Sequence, residues 1–148
     1  MTDLHRPFRP RAARVVSLVL AVAVLALMVT IAVLLPEVSA GGSASDRLGI
    51  AGFGLLVAWF LWRQAGVRAL PDDEGLTIRN LLLTRRVGWT EIVSVRFGQG
   101  RPWVQLDLAD GDTVAVMGIQ RADGAGAEAE ARRLATLVTL HSPTPRDD

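Results

Sequence analysis

A chain of 148 residues can hold one ordinary soluble domain, or a smaller domain together with membrane segments. Sixteen basic residues against fifteen acidic ones leave a net charge of +1, which excludes the strongly basic footprint of a nucleic-acid binder. The absence of cysteine excludes disulfides, thiolate catalysis and Cys-ligated zinc.

Half of the residues are hydrophobic and they crowd into the first 62 positions. All of the basic residues are Arg, as the codon usage of a GC-rich genome would give. Residues 1–14 read as a basic cytoplasmic tail carrying Arg6, Arg9, Arg11 and Arg14. From Val15 to Leu35 there is no charge, and Ser17 and Thr30 are the only polar side chains. At a rise of about 1.5 Å per residue this run spans roughly 31 Å, enough for the hydrocarbon core of a bilayer.

Residues 36–47 form an external loop with Arg47 as its one basic residue. A second apolar segment covers residues 48–66; its Leu48–Trp62 run spans only roughly 22 Å and lengthens toward Leu70 if Arg63 and Arg68 snorkel to the headgroups. Trp59, Phe60 and Trp62 stand where an interfacial aromatic belt would be. The arginines flank the two runs on one side, so the positive-inside bias puts both termini in the cytoplasm of a multi-pass cell-membrane protein. Val38-Ser39-Ala40 has the small-residue spacing of a signal-peptidase site, but the apolar run before it exceeds a signal peptide's ~7–15 residues. An uncleaved anchor is therefore expected. Gly54 with Ala58, and Ser17 with Ala21, have the spacing that lets helices approach, although an Ala- and Gly-rich segment produces such pairs by chance.

Residues 67–141 change period. "PDDEG" is a turn cluster, and "LTIRNLLL" reads as a strand with Leu76 and Ile78 inward, the Leu81–Leu83 run also a candidate for the inside, and a bend at Asn80. "RRVGW" gives another strand, and "VSVRF" sets Val93, Val95 and Phe97 on one face. "WVQLDLAD" alternates through Val104, Leu106 and Leu108, and Asp110-Gly111 predicts a two-residue hairpin turn into "TVAVMGI". An amphipathic helix follows, with Asp123 as its cap and Ala127, Ala131, Leu134 and Val138 as its apolar stripe. It ends near His141, and residues 142–148 read as a disordered tail. A strongly bent antiparallel barrel or sandwich closed by the helix would bury that stripe, with Trp89 and Trp103 in the core. The fold class is thus a two-helix transmembrane hairpin followed by a small α+β domain.

The stretch "DDEGLTIRNLLLTRRVGWTEIVSVRFG" with "WVQLDLADGDTVAVMGIQ" resembles the bacterial pleckstrin-homology (PH)-like domain. It resembles in particular the two-helix, membrane-anchored low-molecular-weight protein antigens of high-GC Gram-positive bacteria. The elements that carry the likeness are Asp73 to Leu76, Arg79-Asn80, and Arg86-Val87-x-Trp89 leading to Glu91-Ile92; Gly88 stands where Pro is expected. The resemblance implies a seven-stranded barrel-like sandwich with a C-terminal helix. It implies no activity.

No catalytic constellation is visible. His5 in the tail and His141 at a helix end read as solvated residues, and Gly98-Gln99-Gly100 runs into Arg-Pro-Trp rather than a phosphate-binding helix. Asp107, Asp110 and Asp112 lack the spacing of a calcium loop. No metal or cofactor is expected. The remaining candidates are Arg79, Arg85, Arg86, Arg96 and Arg101, which could hold anionic lipid headgroups or a protein partner. Outward strand positions need polar residues, and that reading of the arginines is the plainer one. The expectation is a non-enzymatic, membrane-anchored PH-like module that recruits a protein partner. A lipid-headgroup sensor and an accessory subunit of a larger membrane complex are the alternatives.

Overall fold

The structure is a computed structural model that describes residues 4–38, 44–98 and 100–141. The Ser39-Ala40 part of the signal-peptidase-like site and the expected tail 142–148 lie outside the described residues. Two units are present, one formed by residues 13–65 and the other by residues up to 12 together with those from 66 onward.

The first unit is a helical hairpin. Helix α1 runs Arg11–Val38, longer at both ends than the expected 15–35, and α2 runs Ala44–Ala65, starting before the expected residue 48 and ending one residue before the expected 66. Both are long and apolar enough to cross a membrane. Only 6% of either apolar window is buried, whereas the core helix of a soluble protein buries most of its length. Gly54 is buried, and a Cβ there would lie 2.4 Å from Cγ of Met28, so glycine sets the closest approach of the two helices.

The second unit contains two three-stranded antiparallel meanders. One joins β1 (Arg68–Pro71), β2 (Gly75–Arg79) and β3 (Thr84–Gly88). The other joins β4 (Ile92–Arg96), β5 (Trp103–Leu108) and β6 (Thr113–Gln120). Helix α3, Ala125–His141, turns Ala127, Ala131, Leu134, Leu137 and Val138 inward. The expected bent-sheet and helix architecture is present, with six strands among the described residues rather than seven and with no closed barrel. Asn80 stitches the sheets together. Its side chain donates to the Ala115 carbonyl at 2.7 Å and accepts from the Met117 N–H at 3.2 Å. At Gly118 the backbones of β6, β1 and the N-terminal segment crowd so closely that a Cβ would lie 2.9 Å from both Ala69 N and Phe8 O.

Several local expectations need correction. Residues 1–14 were expected as a tail, yet Phe8 is fully buried and exchanges two backbone hydrogen bonds with Ala69, at 2.8 and 2.9 Å. The domain is therefore built from both flanks of the helical hairpin. The strand expected over Leu76–Leu83 stops at Arg79, because Asn80 N–H closes a turn on Leu83 O and leaves Leu82 and Leu83 in the open. Val93 does not share a face with Val95. The pairing passes from Ile92–Leu108 to Ser94–Asp107, so Val93 is the extra residue of a bulge and is exposed. Trp103 is only half-buried, since the inward phase of β5 falls on Val104, Leu106 and Leu108. Trp89 is in the core as expected, its indole N–H donating to the Asp72 carbonyl at 2.8 Å. The β5–β6 turn is wider than two residues: Leu108 N–H bonds Asp112 O, and Gly111 takes a positive φ of 88°. Asp123 does not cap α3. Its carboxylate accepts from Arg11 N–H at 3.0 Å and Ala12 N–H at 2.8 Å, capping the start of α1 instead.

Candidate functional site

The arginine set is dispersed across both sheets, and the structure gives most of its members an internal partner. Arg86 on β3 donates to both carboxylate oxygens of Asp72, at 2.8 and 3.0 Å, and to Glu74 at 3.0 Å. Asp72 also accepts from the N–H groups of Glu74 and Gly75, forming the β1–β2 turn. Burial pushes the Asp72 carboxyl up, but these two N–H groups and the Arg86 guanidinium outweigh it and hold its pKa below the ordinary aspartate value. Arg85, one residue along and therefore on the opposite face, binds Asp112 at 3.1 Å with Asp110 at 3.7 Å. Arg96 bonds Asp107, and Arg101 donates to the Gln105 side chain at 3.0 Å. The Ser94 hydroxyl does most to lower the Asp107 pKa; burial opposes it, and Thr113 and Arg96 add to the lowering, which prevails. Asp107 thus serves Arg96, while Asp110 and Asp112 share Arg85. Among the described residues no group of three or more acidic, His or Cys side chains is placed to hold a metal. Arg79 differs from the rest of the set in having no ion pair or side-chain hydrogen bond among the described residues.

Two features were not legible in the sequence. The first is the seat of the N-terminal segment. Arg133 on α3 places its guanidinium 3.8 Å from the Phe8 ring centroid and donates to the carbonyls of Leu4 and Arg6, at 2.7 and 2.8 Å. Arg6 in turn pairs with Glu130 at 3.1 Å. The histidines are not simply solvated: His141 stacks on Trp89 at 5.1 Å, and His5 meets His141 edge-on at 6.2 Å.

The second is a groove of about 520 Å³ between the end of β4 and α3. Val95, Phe97, Ala131 and Ala135 supply its apolar wall, and Arg121, Glu128 and Arg132 its charged rim. Arg132 and Glu128 are 3.9 Å apart, while Arg121 has no side-chain partner among the described residues. Among the described residues β4 pairs with β5 alone, so it is an edge strand, and its Val95 lines this groove. Val95 and Phe97 were visible as alternating apolar residues, but the helix that faces them is 30 residues away in sequence.

Residues 67–136 match the family model described as a bacterial PH domain. Uncharacterised proteins of Mycobacterium tuberculosis and Mycobacterium bovis are 34% identical over 99 residues, which is 67% of this chain and 64% of theirs. The chain thus spans a little under two thirds of the length of those curated relatives. A protein named low molecular weight protein antigen 6, from the same two species, is 40% identical over 45 residues, covering 30% of this chain and 39% of that protein. No solved structure matches.

Proposed function

We propose that the chain, whose residues 67–136 match the family model of a bacterial PH domain, is a membrane-anchored, non-catalytic interaction module that recruits a protein partner at the cytoplasmic face. In this reading α1 and α2 cross the cell membrane and both termini lie inside. The low burial of both helices supports the anchoring, and the flanking arginines support the orientation.

The observation that carries the recruitment is the edge strand β4 beside the groove under α3. An extended segment of a partner can add to that edge through backbone hydrogen bonds and set an apolar side chain against Val95, Phe97 and Ala131. Arg121, which has no counter-ion among the described residues, favours a segment that also carries a carboxylate. The headgroup-sensor alternative is less favoured, because Arg85, Arg86 and Arg96 already hold carboxylates.

A photo-crosslinking residue at Glu128, on the groove rim, tests the proposal in living cells. A discrete adduct that disappears with Arg121→Glu and with Ala135→Asp, and is absent from a crosslinker at Asp110, is the expected result. Equal adducts from both positions, indifferent to the two substitutions, would refute the groove as the recruiting surface.

A further inference from the structure

The turn between β2 and β3 is a short, firmly based apolar tip. Asn80 N–H bonds Leu83 O at 2.9 Å, while the Asn80 side chain is fixed to β6 through Ala115 and Met117. Beyond that base Leu82 is 67% and Leu83 77% exposed. Two adjacent leucines held out by a pinned turn cost solvation free energy that a folded domain has no internal reason to keep.

The register places this tip. Arg68, the first residue of β1, pairs with Arg79, the last residue of β2, so the tip projects from the end of the sheet at which the chain enters the domain. Arg68 follows the last residue of α2, Ala65, by three residues, at most about 10 Å of extended chain. Directly opposed residues of an antiparallel pair share a face, so Arg68 and Arg79 are neighbouring positions on one face of the sheet, each half-buried. Neither has an acidic partner among the described residues, and Nε of Arg68 is buried without a hydrogen bond. Arg86 lies on the same face nearer the other end and is saturated by Asp72 and Glu74. On this face of the β1–β3 sheet, the arginines without an acidic partner among the described residues are thus the two next to the leucine tip.

We infer that this tip is a membrane-contact device: Leu82 and Leu83 enter the acyl region of the bilayer, and Arg68 with Arg79 takes phosphate oxygens of anionic phospholipids. The apolar tip supplies depth and the guanidinium pair supplies preference for negative charge. The consequence for the module is orientation. A third contact beside the two chain connections would fix which face of the domain the β4 groove presents. The inference rests on the membrane reading of α2, and its test separates the two.

Because the chain contains no cysteine, Leu83→Cys in the full-length protein accepts a single environment-sensitive fluorophore. The labelled protein is reconstituted in nanodiscs of mixed phosphatidylcholine and phosphatidylglycerol, with nitroxide-bearing lipids as quenchers and Leu55→Cys on α2 as reference. Quenching of position 55 by deep acyl-chain nitroxides and of position 83 by shallow ones, with little quenching of position 83 by aqueous iodide, is expected. Substituting Arg68→Gln and Arg79→Gln together should lower the inserted-to-free ratio at position 83 by about tenfold or more, as should replacing phosphatidylglycerol by phosphatidylcholine. A quenched α2 with an iodide-accessible position 83 would overturn the tip while leaving the anchor. Failure of lipid quenching at Leu55 as well would remove the membrane reading and the inference with it. Lipid quenching at position 83 that ignores both arginines and lipid charge would overturn the headgroup assignment.

Discussion

Truncating Phe8 to Ala should loosen the whole β-domain, although the residue lies in a basic segment nearly sixty residues before β1. Its ring is fully buried among the core residues, packs beneath Arg133, and is held by the two-way backbone pairing with Ala69. Removing a buried phenylalanine ring costs about 3–5 kcal/mol. The cation–π contact adds to the loss rather than offsetting it, because Arg133 would face a cavity. A domain of this size has a stability of only about 5–10 kcal/mol, so the loss is a large part of the whole. Hydrogen exchange of the full-length chain in nanodiscs reads it directly. Slowly exchanging amides of β1, β5 and β6 should lose protection by roughly 100- to 4,000-fold, at about 1.4 kcal/mol per decade. Unchanged protection there, with faster exchange confined to residues 4–12, would show that the segment is an accessory rather than part of the core.

The same assay serves three further substitutions and conditions. Asn80→Ala deprives the Ala115 carbonyl and Met117 N–H of partners and should destabilise the domain by about 2 kcal/mol, with exchange rising in both sheets. Gly118→Ala drives a methyl group into the backbones of Phe8 and Ala69 and should cost about 1–3 kcal/mol, whereas Gly126→Ala, in open space, should be neutral or mildly stabilising. Asp72 and Asp107 have folded-state pKa values below the ordinary aspartate value. Their stabilisation is complete above the unfolded carboxylate range, near pH 4, and is lost as pH falls through the lower folded values. The unfolding midpoint should therefore decline below about pH 4, and Asp107→Asn should flatten part of that decline.

Patterns with a strict period were legible in the sequence. The alternation of Val104, Leu106 and Leu108 and the stripe through Ala127, Ala131, Leu134 and Val138 are local consequences of strand and helix geometry, and the structure keeps both. What failed depended on contacts between distant residues. Phe8 looked like part of a charged tail because nothing nearby shows that Ala69 and Arg133 complete its pocket, although Pro7 and Pro10 do mark an extended stretch. Asp123 stands where a cap for α3 should be, and only the tertiary fold hands it the first amides of α1. A one-residue bulge puts Val93 outside while Val95 keeps its expected side, with Ile92 taking the inward place before it, a break that a strict alternation cannot show. The five arginines were visible, but their partners were not. Asp72, Asp107 and Asp112 read as turn and strand residues, and the fold turns them into counter-ions. The β4 groove had no sequence signature, because it is the space between two elements rather than a property of either.

The central claim is that this domain stands on the cytoplasmic side of a two-helix anchor, and single-cysteine accessibility tests it most directly. Ser45→Cys lies at the start of α2 and Thr139→Cys on the exposed face of α3. In intact cells a membrane-impermeant maleimide should label the first and spare the second, and permeabilisation should expose both. Labelling of position 139 in intact cells would put the domain outside and contradict the account.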